Sequence, residues 1–133
     1  MGILSHLMGN ATQVDQTEIQ NELGSVLVPG EEVGRAFKIF RDMMVFTDHR
    51  LILVDKQGLT GSKVEYHSVL YRSITQFSVE TAGSFDADAE LRIWVAGVGE
   101  PIRKEFKRGT DIVGIQQYLA YCVFGGEGGS GVK

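Results

Sequence analysis

The chain reads as a mainly β domain: about seven short antiparallel strands at the spacing of an all-β sandwich or barrel, then one C-terminal helix, with short helical pieces in front. Three observations predict this. Between Asp42 and Gly58 the apolar runs 43–46 and 51–54 flank the polar turn Thr47-Asp48-His49-Arg50, which is the pattern of a β-hairpin. Further short runs rich in Val, Ile, Phe and Tyr follow at close spacing, each bounded by Gly or polar clusters. Near the end Ile112, Ile115, Leu119 and Cys122 recur at helical spacing.

Taken in order, residues 2–9 suit a short helical turn with Ile3, Leu4, Leu7 and Met8 on one side, and the polar stretch 10–13 breaks it. Asp15-Gln16-Thr17-Glu18 has the form of an N-cap with an acid three residues on. Ile19 and Leu23 then share a helix face, with Gly24 as the stop. Val28-Pro29-Gly30 is a turn. Strands are expected at 33–39, 43–46, 51–54, 63–70, 73–81, 89–96 and 102–107. The sixth alternates most clearly: Leu91, Ile93 and Val95 point one way, and Glu90, Arg92 and Trp94 the other. Thr110 is the expected cap of a helix running to about Val123. The Gly-rich stretch 125–133 reads as a flexible tail. The organisation is a helical segment 1–27, one β domain 28–124, and that tail.

Composition narrows the function. At 133 residues the chain suits a single domain with a real core. Its net charge of −4 argues against a nucleic-acid partner, which calls for a basic stripe, and against electrostatic docking to anionic membranes. Cys122 is the one cysteine, so no internal disulfide forms and a reducing, cytoplasmic setting is expected. No signal peptide and no run of the roughly 18–20 apolar residues needed for a spanning helix is visible. His6 spoils the myristoylation pattern at the start.

No catalytic, cofactor or metal site emerges. His6, His49 and His67 are scattered and lack a second ligand at metal spacing. Cys122 sits on the apolar helix stripe and reads as a small hydrophobe. The acids Glu80, Asp86, Asp88 and Glu90 surround one turn, where solvated surface explains them more simply than acid–base chemistry. Gly97-Val98-Gly99 precedes no helix and makes no phosphate loop. The connection Phe40-Arg41-Asp42 carries a single base, and the densest basic run, Arg103-Lys104 with Lys107-Arg108, is interrupted by Glu105.

Seven strands followed by one helix is the order of a pleckstrin-homology domain. The segments VFTDHRLILVDKQGLTGSKVEYHSV, YRSITQFSVETAGSFDADAELRIWV and KEFKRGTDI resemble the bacterial pleckstrin-homology (PH-like) proteins over residues 28–124. The sequence departs at Leu70, where the family has proline. The resemblance implies a strongly bent sheet closed at one end by the C-terminal helix, no known enzymatic activity and no settled ligand. It further implies ring-like homo-oligomers, five-fold among them, that scaffold a peptide or protein.

The expected function is therefore a non-catalytic interaction module that self-assembles. The alternatives are a lipid- or phosphate-headgroup-binding domain, which the acidic charge disfavours, and an enzyme, which lacks a visible nucleophile–base pair. Trp94 is an odd choice for a wet strand face, and Arg92 lies beside it. With Leu4, Leu7, Ile19 and Leu23 from the N-terminal pieces, these residues make the candidate interface.

Overall fold

The computed structural model describes residues 12–13, 15–84 and 87–125. Among these the chain divides into two compact units, residues 12–68 and 69–125.

The first unit holds a five-stranded antiparallel sheet in the order β1-β2-β3-β4-β5: β1 (Thr12–Gln13), β2 (Val33–Ile39), β3 (Asp42–Thr47), β4 (Arg50–Gln57) and β5 (Lys63–Leu70, whose last residues belong to the second unit). β3 and β4 pair as Met43↔Val54, Met44↔Leu53, Val45↔Ile52 and Phe46↔Leu51. All eight side chains are buried, so both faces of these strands are covered. That is why the two runs are uniformly apolar instead of alternating. Phe37 meets Phe46 edge to face, with ring centroids 6.1 Å apart. β5, at the sheet edge, is exposed along most of its length.

Helix α1 (Gln16–Leu23) begins as its sequence indicates, with Asp15 Oδ1 accepting from the Glu18 N–H at 2.8 Å. The reciprocal half of a capping box is not made; the Glu18 carboxylate instead takes Lys38 of β2 at 2.7 Å. Glu22 takes Lys56 of β4 at 2.7 Å and accepts from the Tyr66 hydroxyl of β5 at 2.7 Å. The helix therefore crosses the sheet with Ile19 and Leu23 buried beneath it and a rim of polar pairs around them. Gly24 stays in the right-handed helical region, so the helix ends without a left-handed turn.

The second unit opens with a 3-10 turn (Tyr71–Ser73) and a three-stranded antiparallel sheet: β6 (Ile74–Thr81), β7 (Ala89–Val95) and β8 (Ile102–Phe106). Helix α2 (Ile112–Val123) follows and buries Ile112, Ile115 and Leu119. Leu91 and Ile93 are fully buried, as the alternation of β7 requires, but Val95 is only half-buried, because the strand is ending there.

Several expectations need correction. The strands lie in two separate sheets among the described residues, not in a closed barrel. The 3-10 turn interrupts the chain between β5 and β6, and β6 then starts a new ladder with β7. The seven expected strands are present, together with the two-residue β1, which pairs Thr12↔Lys38 and Gln13↔Phe37. A pairing this short is made by backbone groups and leaves no side-chain pattern to read. The cap of α2 is Asp111, not Thr110: its Oδ1 accepts from the Gly114 N–H at 3.0 Å. A Cβ at Gly114 would lie 2.4 Å from the Asp111 carboxylate, so glycine makes room for the cap. Leu70 holds φ −74° and ψ 135°, a conformation that proline would also adopt, so leucine preserves the shape of the strand exit. The helical turn expected over 2–9, the loop pair Phe85-Asp86 and the tail beyond 125 lie outside the described residues.

Candidate functional site

The outer face of the three-stranded sheet carries the sequence-derived candidates. Antiparallel partners share a face, and the register sets Gln76 beside Trp94, Ser78 beside Arg92, and Glu80 and Glu105 on either side of Glu90, with Arg103 next to Arg92. A register shift between Ile74 and Gln76 adds one residue to β6 beside Trp94. The inward face of the same strand is taken by Leu91 and Ile93, which forces Arg92 and Trp94 outward. Trp94 is half-buried there.

Charge on this face is compensated locally. Arg92 Nε donates to Glu90 at 2.8 Å, and its Nη2 donates to Glu80. Glu90 also draws Arg103, at 3.7 Å. The Glu90 and Glu80 carboxylates hold the Arg92 guanidinium above its ordinary pKa. Ser78 Oγ is buried without a hydrogen-bond partner among the described residues. The arrangement offers an aromatic plane set in a neutralised polar lattice. Its arginines already have carboxylates, which leaves poor capture of phosphate and good capture of another ordered protein surface.

The other candidates are distributed differently. Ile19 and Leu23 are 4% and 0% exposed in the single chain, so they present almost no free surface. Leu4 and Leu7 lie outside the described residues. His49 is exposed and pairs with Asp48 at 2.9 Å, and His67 is exposed on β5. Among the described residues no three His, Cys, Asp or Glu side chains gather as a metal would require. Asp88 accepts from the Arg108 N–H at 2.8 Å, a structural tie at the end of the sheet. The basic run of β8 is split, since Arg103 sides with Arg92 and Lys104 with Leu91.

Sequence reasoning missed a buried ionic cluster in the first unit. The Glu31 side chain is fully covered and takes Arg50 through both oxygens, Nε to Oε2 and Nη2 to Oε1, each at 2.8 Å. Thr47 Oγ1 donates to Glu31 at 2.7 Å, and the Val28 N–H donates at 3.1 Å. Arg50 also reaches Ser68 Oγ and the Val26 carbonyl. The Arg50 hydrogen bonds lower the Glu31 pKa to about 2 against the opposing effect of burial. Both carboxylate oxygens are engaged inside the unit, so this is a clamp on the loop before β2. A charged pair separated by 19 residues has no local signature.

Residues 2–123 match the bacterial PH domain family. An uncharacterized protein of Bacillus subtilis (strain 168), YjqA, is 52% identical over 121 residues, covering 90% of this chain and 97% of that protein. Two crystal structures are similar. The pleckstrin homology domain from Shewanella amazonensis SB2B has TM-score 0.77 and 54% identity, covering 90% of this chain and 97% of that one. A DUF1696-family protein with a pleckstrin-homology domain from Shewanella loihica PV-4 has TM-score 0.73 and 52% identity, covering 87% and 99%. Two antiparallel sheets with a C-terminal helix agree with these neighbours in fold, and the chain belongs to the bacterial PH domain family.

Proposed function

We propose that this chain is a non-catalytic interaction module that self-assembles into a ring-like homo-oligomer, five-fold in the order its family resemblance suggests, and scaffolds a peptide or protein partner. The observation that carries the reading is the outer face of β6–β8, where Trp94 lies half-buried beside the self-compensated Arg92, Glu80 and Glu90. A tryptophan in a charge-balanced surface favours docking of a second ordered surface, since its burial gains apolar area without stranding a charge. A headgroup pocket is the weaker reading, because Arg92 and Arg103 are both engaged by glutamates.

Sedimentation or light scattering at micromolar concentration tests the assembly. The expected result is a mass that is a multiple of 14.6 kDa and falls in Trp94→Ala. A mass of one chain, unchanged by Trp94→Ala or by deletion of residues 1–24, overturns the proposal.

A further inference from the structure

We propose that the outer face of α2 pairs with the same face of a second copy, antiparallel and about a two-fold axis at Gln117. Charged residues make up 23% of the chain, yet none occurs from Ile112 to Gly126. One side of the helix accounts for part of this, since Ile112, Ile115 and Leu119 are buried. The opposite side is surface. Val113 is 38%, Tyr121 41% and Phe124 63% exposed, and Gln117 is exposed between them. Spacings of four, four and three place these residues on one stripe. A surface helix sets charged residues opposite its buried stripe, and a helix apolar all round is covered all round.

Charge selects a second copy as the cover. Two copies at −4 each repel, so they meet at least cost where neither brings a charge. The stripe on α2 is such a place, whereas the face of β6–β8 carries Arg92, Arg103 and three glutamates. A foreign partner steered by charge would need acids or bases to meet it, and the stripe offers none.

The stripe is also complementary to itself. Val113 and Tyr121 stand four residues before and four after Gln117, so in an antiparallel pair each Val113 meets Tyr121 of the other copy. The two Gln117 amides then meet on the axis, where each can donate to and accept from the other. Each helix N-terminus lies beside the C-terminus of its neighbour, which suits their dipoles. Tyr121 is steadied by Tyr118, with ring centroids 5.3 Å apart, so little side-chain freedom is lost on pairing. The twelve residues of α2 span about 18 Å, and one such pair covers less than the roughly 800 Å² per partner of a standard interface. The pairing is therefore weak, and covalent trapping reports it better than mass. It is separate from the face of β6–β8 and independent of ring closure.

Disulfide trapping of the full chain in a Cys122→Ala background tests the inference. Gln117→Cys is expected to form a covalent dimer in glutathione buffer, because its two thiols lie on the axis. Val113→Cys is expected to link at least about tenfold less, since two copies of residue 113 stand about 12 Å apart along the helices, beyond disulfide reach. Mixing Val113→Cys with Tyr121→Cys should restore linking. Adding Tyr121→Lys and Phe124→Lys to Gln117→Cys should lower the dimer yield at least about tenfold, because each lysine would be desolvated beside an apolar face. The stripe positions are exposed, so thermal melts should match the background protein. Trp94→Ala should leave the Gln117→Cys dimer in place whatever it does to ring assembly, and loss of that dimer would overturn the inference. No dimer at Gln117→Cys, or equal yields at positions 113 and 117, also overturns it. So does a dimer that forms only after residues 1–11 are deleted, which would assign the cover of α2 to that segment.

Discussion

Glu31 and Arg50 show how much a single pair contributes when it is taken out of water. The Glu31 carboxyl is fully covered and accepts from Arg50, Thr47 and Val28, which lowers its pKa from 4.5 to about 2. The folded pKa lies below the unfolded one, so the contribution is present above about pH 4.5 and is lost as pH falls toward 2. A shift of that size corresponds to about 3 kcal/mol. Glu31→Gln is therefore expected to lower stability at neutral pH by an amount of that order and to flatten the acid limb of a denaturation series. Equal acid limbs for the two proteins would refute this assignment. Arg50→Ala should cost more, about 3–5 kcal/mol, because it leaves the carboxylate buried and unpaired. Chemical denaturation near pH 7 measures both.

At the scale of elements, α2 makes a sharp distinction between adjacent residues. Asp111 accepts from the Gly114 N–H, whereas Thr110 only precedes the helix. Asp111→Ala is expected to cost about 1 kcal/mol and Thr110→Ala close to nothing, and the reverse order in thermal melts would restore threonine as the cap. The buried stripe of the helix and the inward face of β7 belong to the same unit. Ile93 and Leu119 are both fully covered, so alanine at either should cost about 2–5 kcal/mol. A loss below about 0.5 kcal/mol at both would mean that neither site is packed as described. α1 is different in kind: two buried side chains and a rim of ion pairs hold it, so its attachment should weaken with salt more than that of α2, as hydrogen exchange resolved by segment would report.

For the whole molecule, the distribution of charge predicts what it will not do. The net charge is −4, and Arg92, Arg103, Arg50, Lys38 and Lys56 each face a carboxylate. Vesicles carrying phosphoinositide are expected to bind no better than phosphatidylserine vesicles of matched charge. Saturable, headgroup-selective binding at physiological salt, abolished by Arg41→Ala, would contradict this. Among the described residues no helix is long and apolar enough to cross a membrane.

The seven longer strands and the helices over 16–23 and 112–123 were legible in the sequence because they rest on local periodicity; the two-residue β1 and the order of strands in the sheets were not. The run Met43-Met44-Val45-Phe46 is too short for a helix and is bounded by turn residues, which favours an extended strand, and Ile112, Ile115 and Leu119 share one face at helical spacing. The face of Trp94 followed from the same period of two. Other features were decided only by tertiary contacts. The split into two sheets depends on which strand accepts β6, a choice made by backbone ladders that carry no residue code. The burial of Ile19 and Leu23 depends on α1 reaching Lys38, Lys56 and Tyr66 far along the chain. The Glu31–Arg50 clamp joins residues that look like ordinary surface charges until the fold removes water from between them. Phe40, which reads as part of a short connection, becomes an exposed and strained ring because the pairing of Ile39 with Asp42 leaves it only the turn. Periodicity is a property of neighbours along the chain, so the sequence alone determined the elements; desolvation and pairing are properties of neighbours in space, so the tertiary structure decided the rest.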